Sequence, residues 1–246
     1  MSQSKRIWGW FFYDWACQPF YTLMLTFFFA PYFATVAADY FVASGMEIEA
    51  SKAKAQTMWS ICLSASGLFI GISAPILGAI ADTSGRRMPW IYVFSIMLIV
   101  GALGTWVGVP DGSNLTLMLY FFALGYIGTE FALIFTNAQL TTLGNQNEIG
   151  KISGSGFGFG YLGGVFALAI ALLFLVEQPN GTTFMLGIEP LFGFLNPENM
   201  EGTRFVGPLA AVWFIVFAIP YFKNMKDDPA LLNKINVGKG LKDLFQ

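Results

Sequence analysis

Residues 78–90 read GAIADTSGRRMPW. This short polar turn is clamped between two long apolar runs, at about 58–81 and about 90–109. A helix that crosses a bilayer needs about 20 mostly apolar residues, and both runs qualify. Gly85 can take the positive φ of a tight turn. Asp82 can face a helix N-terminus or pair with an arginine. Arg86 and Arg87 hold the turn on the side that membrane proteins keep basic. Gly78 lets a second helix approach closely. The stretch is a turn between two spanning helices, and it fixes how the rest of the chain is read.

Working outward, four more segments are long and apolar enough to span, at about 15–41, 115–140, 152–176 and 206–222. The runs are too long, and alternate too little, for barrel strands. The 246 residues are 55% hydrophobic and only 11% charged, with a mean hydropathy of +0.60, whereas soluble domains carry about 25% charged residues. The expected fold is an all-α membrane protein built as a six-helix bundle. Lys5 and Arg6 precede an apolar region that runs to about Phe41, too long for a cleaved signal, so the first helix reads as a retained anchor. The absence of histidine excludes a histidine proton relay or metal site. Cys17 and Cys62 fit neither a disulfide framework nor a CxxC metal site and read as free thiols.

Lys5, Arg6, Arg86, Arg87, Lys151, Lys223, Lys226, Lys234, Lys239 and Lys242 fall on one side of this arrangement, against Lys52, Lys54 and Arg204 on the other. The positive-inside rule therefore places both ends of the chain in the cytoplasm, and a bacterial plasma membrane is the expected location. The long outer loop, about 177–205, is acidic and proline-rich. Its apolar pieces FMLGI and LFGFL are too short to span and are read as dipping into the interface. Asn114 and Asn180 head Asn-x-Thr triplets on the outer side, a pattern common by chance. Residues 223–246 read as a cytosolic linker toward a second half.

Two helices carry polar residues where lipid-like ones are expected. Asp14, Gln18, Thr22 and Thr26 recur every four positions, drifting about 40° per step along one face of the first helix. Polar groups in spanning helices face a bundle interior or a water-filled cavity. Asp14 is read either as a cap or ion pair with Arg6 or Arg86, or as a group that handles substrate or protons. Pro19 and Pro31 are expected to kink this helix. In the fourth helix Tyr126, Glu130, Asn137 and Thr141 share roughly one face. Glu130 is far from either end. It is read either as a carboxyl hydrogen-bonded to a neighbouring helix or as a group for proton coupling or for a substrate amine. Gly156, Gly160 and Gly164 repeat every four residues in the fifth helix, beside Gly154 and Gly158, and read as helix-packing glycines. Gly67, Gly71 and Gly78 with Pro75 read the same way in the second. No nucleophile–base set, metal constellation or nucleotide motif is visible, so an enzyme, a cofactor and nucleic-acid binding are not expected.

These motifs resemble a known family. Gly78-x-x-x-Asp82-x-x-Gly85-Arg86-Arg87 is similar to the signature loop of the major facilitator superfamily, whose transporters are built from two six-helix halves. Thr83 stands where the family pattern has a basic residue. YDWACQPFYT…FFFAPYF is similar to the opening of the vacuolar-effluxer-like branch, which includes autophagy-related amino-acid effluxers and bacterial permeases. Cys17 and Gln18 replace its common Asn and Ser. SGSGFGFGYLGG, Ser153 to Gly164, resembles the same branch's fifth helix. Asn137 matches an asparagine closing its fourth helix, with Thr136 in place of the usual tyrosine. The resemblance implies that the chain is the N-terminal half of a secondary transporter that moves small solutes, amino acids being one class it suggests, by alternating access. Asp14, Gln18, Thr22, Tyr126, Glu130 and Asn137 would line the pathway, and Gly78, Asp82, Gly85, Arg86 and Arg87 would form a cytosolic latch. Its partners would be a small-molecule substrate, membrane lipid, and a C-terminal six-helix half of the same protein or a second copy. The alternatives are a complete half-size permease acting as a homodimer and a non-transporting membrane scaffold.

Overall fold

A computed structural model describes residues 2–227. The expected linker from 223 onward therefore lies mostly outside the described residues. Six helical segments are long and apolar enough to cross a membrane: Gln3–Ala43, Ile48–Ser84, Met88–Val107, Leu115–Thr142, Gln146–Phe174 and Glu201–Asn224. No strand occurs among the described residues, and one isolated antiparallel bridge joins Glu177 and Thr183. The fold is an all-α six-span membrane bundle.

Several spans start earlier than hydropathy alone places them. The first begins at Gln3 because its polar first turns are anchored: Gln3 donates to the Leu143 carbonyl at 2.9 Å, and Arg6 to the Thr142 hydroxyl at 2.7 Å. The second extends back to Ile48, where the Glu47 carboxylate accepts from the Ala50 N–H at 3.0 Å as an N-cap. The free N–H groups of that first turn, those of Glu49 and Ala50 foremost, hold the Glu47 carboxyl below its usual range.

The first span has three pieces: α1 (Gln3–Pro19), a π-helical stretch (Phe20–Phe27) and α2 (Phe29–Ala43). Proline 19 explains the break. It has no N–H to give to the carbonyl of Trp15, four residues back, and a freed carbonyl in an apolar span must find another donor. The indole of Trp213, from the last span, supplies it at 3.2 Å. The bundle then continues as α3 (Ile48–Ser84), α4 (Met88–Gly104), α5 (Leu115–Ala138) and α6 (Gln146–Phe174). The last span comprises α7 (Glu201–Arg204), α8 (Val206–Phe217) and α9 (Ile219–Asn224).

Helices α4 and α5 make the tightest pair, and glycine is the reason. A side chain at Gly101 would strike the backbone of Gly125, and one at Gly128 would meet the Phe94 carbonyl at 2.7 Å. Aromatic rings fill the seam around them, with Phe94 stacked on Phe131 at 4.7 Å. The second span behaves differently. Only 11% of its apolar window is buried, and nothing among the described residues lies within 4 Å of a side chain added at Gly67, Gly71 or Gly78. The close packing expected of these three glycines is absent from the described bundle, because α3 turns that face outward.

The two ends of the bundle are closed by different chemistry. Away from Arg87, Arg204 is buried, donates to the Trp106 carbonyl at 2.7 Å and lies 4.6 Å over the Trp106 ring. Glu177 accepts from the Thr203 N–H at 3.0 Å. The aromatic tips of FMLGI and LFGFL stand exposed there, Phe194 at 83%.

Replacing Trp213 by Phe leaves the Trp15 carbonyl without a donor inside an apolar bundle. That penalty is about 1–3 kcal/mol. We expect a fall of several degrees in the melting temperature of the purified full-length protein, and no comparable change for Tyr120→Phe, whose ring is exposed. Equal melting temperatures for wild type and Trp213→Phe would show that the carbonyl is satisfied otherwise.

Candidate functional site

A cavity of about 960 Å³ runs beside the first span. Asp14, Gln18, Thr22 and Thr26 all border it, with Asn137 from α5 and Ser153 from α6. In a straight α-helix the every-fourth pattern would drift off one face. The π-helical stretch corrects this. Its i→i+5 bonding widens the turn, so a four-residue step no longer overshoots a full turn by about 40°. Asp14 and Gln18 stand on α1, Thr22 and Thr26 on the π stretch, and the change of register keeps them on one wall. Within that stretch the Thr26 hydroxyl donates to the Tyr21 carbonyl, five residues back, at 3.0 Å.

Helix α6 forms the seat of this wall. A side chain added at Gly156 would strike the Trp10 ring, one at Gly160 the Asp14 carboxylate, and one at Gly164 the Thr22 hydroxyl. A side chain added at Gly163 would meet the Trp15 carbonyl at 2.7 Å. The row Gly156, Gly160, Gly164 thus meets the first span, with Gly160 and Gly164 set directly against two of its polar residues. Gly154 and Gly158 meet nothing within 4 Å among the described residues.

Asp14 is half-buried and forms no ion pair among the described residues; its partner is the Gln18 amide, which donates at 3.4 Å. Arg6, one of the two cations considered for it, is engaged with Thr142 instead. The face expected on the fourth helix divides. Asn137 borders the cavity, whereas Tyr126 and Glu130 do not. Glu130 accepts from the Tyr21 hydroxyl at 2.8 Å, and Tyr126 stacks on Phe122 with rings 6.0 Å apart. Thr141 leaves the face because α5 ends at Ala138 and the chain passes into a 3-10 turn over Leu140–Thr142.

The turn after α3 gathers several spans at the basic end. Gly85 takes φ 65 and caps α3, its N–H donating to the Asp82 carbonyl. Arg87 grips the Asp82 carboxylate through two nitrogens, at 2.7 and 3.2 Å, and donates to the Ala138 carbonyl at 3.1 Å. Thr83 hydrogen-bonds back to the Ala79 carbonyl at 2.9 Å. Asp227 caps α4, accepting from the Arg87 and Met88 N–H groups at 3.1 Å each. Nearby, the Tyr221 hydroxyl donates to the buried Gln139 amide oxygen.

Sequence reasoning passed over Tyr21, Trp10 and Asp227. Tyr21 lies seven residues after Asp14, two helical turns on, and a seven-residue step would have found it where the four-residue step did not. Trp10 donates to the Thr136 carbonyl at 3.0 Å, tying α1 to α5. Asp227 gave no signal beyond its place in an acidic pair. Among the described residues no group of three or more His, Cys, Asp or Glu side chains could hold a metal, and both cysteines are free thiols.

Two neighbouring glycines of α6 separate packing from composition. Gly160→Ala drives a methyl into the Asp14 carboxylate and should lower the melting temperature and folded yield of the full-length protein, on the scale of about 1–3 kcal/mol for overpacking. Gly158→Ala meets open space and should be neutral or slightly stabilising. Equal effects of the two would contradict the seat described for the first span.

Comparison with known proteins agrees with the sequence motifs. Residues 2–245 match the family described as vacuole effluxer Atg22 like. An uncharacterised MFS-type transporter of Bacillus subtilis (strain 168), YxiO, is 25% identical over 224 residues, which is 90% of this chain and 47% of that protein. The chain spans about half the length of the curated relative it matches. No solved structure matches it. With six spans, a polar cavity and a family match from end to end, the chain belongs to the vacuole effluxer Atg22-like family of major-facilitator-type permeases.

Proposed function

We propose that the chain forms one six-helix half of a secondary transporter that moves small solutes, amino acids among them, by alternating access around the cavity beside the first span. The observation that carries this reading is the convergence of Asp14, Gln18, Thr22, Thr26 and Asn137 on one cavity of about 960 Å³ within an otherwise apolar bundle. Hydrogen-bonding side chains in a span are costly unless they face water or a ligand, and the volume suits a small solute. The described wall holds a carboxylate, amides, hydroxyls and aromatic rings, with no lysine or arginine. Such a wall complements the ammonium end of an amino acid. Its carboxylate end would be met by the opposite wall, supplied by a C-terminal half of the same protein or by a second copy.

The open face of α3, with Gly67, Gly71 and Gly78, supports a partner helix set against it. The turn built on Asp82 and Arg87 ties the ends of α3, α4 and α5 into one unit, as a latch between states requires. The lysine and arginine distribution supports a cytoplasmic position for both ends of this segment, and the Bacillus subtilis relative supports a bacterial plasma membrane.

The test is solute flux in proteoliposomes containing the full-length protein and radiolabelled amino acids. We expect flux above protein-free liposomes for at least one amino acid. Asp14→Asn should reduce it about tenfold, the scale of one lost charge-assisted hydrogen bond, without a matching loss of folded protein. Flux absent for every amino acid would end the amino-acid reading, and flux and folded yield falling in step for Asp14→Asn would make that residue structural.

A further inference from the structure

Tyr21 links the cavity to Glu130, whose side chain is itself partly exposed. Its side chain borders the cavity while Glu130 does not, and its hydroxyl donates to Glu130 Oε1 at 2.8 Å. That hydroxyl is the one hydrogen-bond partner Glu130 has among the described residues, and no cation pairs with it there. A carboxyl group offers several acceptor positions; Tyr21 takes one, and the side chain is only partly buried, which leaves the others open to a donor. The titratable groups near it are Cys17 and Tyr21 of the first span and Tyr126 on its own helix.

We propose that the Tyr21 hydroxyl gates Glu130 by occupying its Oε1, and that Glu130 is a second acceptor site beside the cavity for an ammonium or other N–H donor of the bound solute. Three features support the assignment. The described cavity wall carries acceptors and aromatic faces and no basic group, so a donor entering it meets no competing cation. A phenol that donates to a carboxylate becomes a better acceptor itself, which draws a donor toward Tyr21 before it reaches Glu130. Tyr21 also lies in the π-helical stretch, where its carbonyl is tied to the Thr26 hydroxyl. That bond fixes the Tyr21 backbone at the cavity wall, so exchange of its hydroxyl for a solute donor on Glu130 needs only rotation of the side chain.

The inference rests on the reading of the cavity as a solute path, but its test needs no transport. Full-length protein in membranes is treated with dicyclohexylcarbodiimide, which modifies carboxyl groups in apolar surroundings, and the labelled positions are quantified by mass spectrometry. In wild type, Asp14 should label faster than Glu130. Tyr21→Phe should raise the rate at Glu130 roughly tenfold, the scale of one hydrogen bond to a charged group, and leave the rate at Asp14 unchanged. Ethylammonium should slow labelling of Glu130 in that variant, and acetate should not. Equal Glu130 rates in wild type and variant would overturn the gate, as would a rise at both acids together, which marks general loosening. Failure of ethylammonium to protect would overturn the assignment of an amine. Should Tyr21→Phe not fold, the wild-type comparison decides: Glu130 labelling as fast as Asp14 overturns the proposal, and slower labelling supports it.

Discussion

The close seating of the first span on the glycine face of α6 is the contact on which the site depends. Three successive small positions, Gly156, Gly160 and Gly164, let the backbones approach until α6 touches Trp10, Asp14 and Thr22. Lipid offers no hydrophobic drive for helices to associate, so shape and hydrogen bonding must do it. Here shape does most of it. Asp14 is held against a helix with no side chain to push it away, which leaves its carboxylate on the cavity wall with, among the described residues, only a long bond to Gln18. A larger residue at Gly160 would change where the acid points as well as how tightly the helices pack.

A second constraint shapes the same span. Pro19 removes one backbone donor, Trp213 replaces it from the far end of the chain, and the helix beyond Pro19 continues in a wider register. The two effects reinforce each other. The proline break allows the π stretch, and the π stretch returns Thr22 and Thr26 to the face that Asp14 and Gln18 begin. The wall is thus a product of a local residue choice and a distant packing contact.

The fold was legible in the sequence because spanning helices announce themselves by length and apolarity, and the turn at 78–90 separates two of them cleanly. The helix ends were less legible. Gln3, Arg6 and Glu47 extend helices through polar bonds to partners that hydropathy does not weigh. Glycine spacing was ambiguous in a specific way. Gly67 and Gly71 in α3 and Gly156 and Gly160 in α6 share the same interval, yet only the second pair meets a neighbouring helix within the described bundle. The interval says that close approach is permitted, and the partner decides whether it happens. The polar stripe on the first span was readable from its four-residue step. The Tyr21–Glu130 bond was not, because it joins residues 109 apart in sequence and depends on how two spans rotate against each other.

The central claim is that one face of the first span borders an aqueous cavity while the rest of it is packed or in lipid. Single cysteines placed at positions 12 to 27 of the full-length protein, in a background with Cys17 and Cys62 replaced by serine, can be tested in membranes with a water-soluble maleimide. The account predicts reactivity at 14, 18, 21, 22, 25 and 26, which border the cavity, with positions such as 16, 20 and 24 silent. Uniform reactivity along the span, or silence at all six cavity positions, would contradict it.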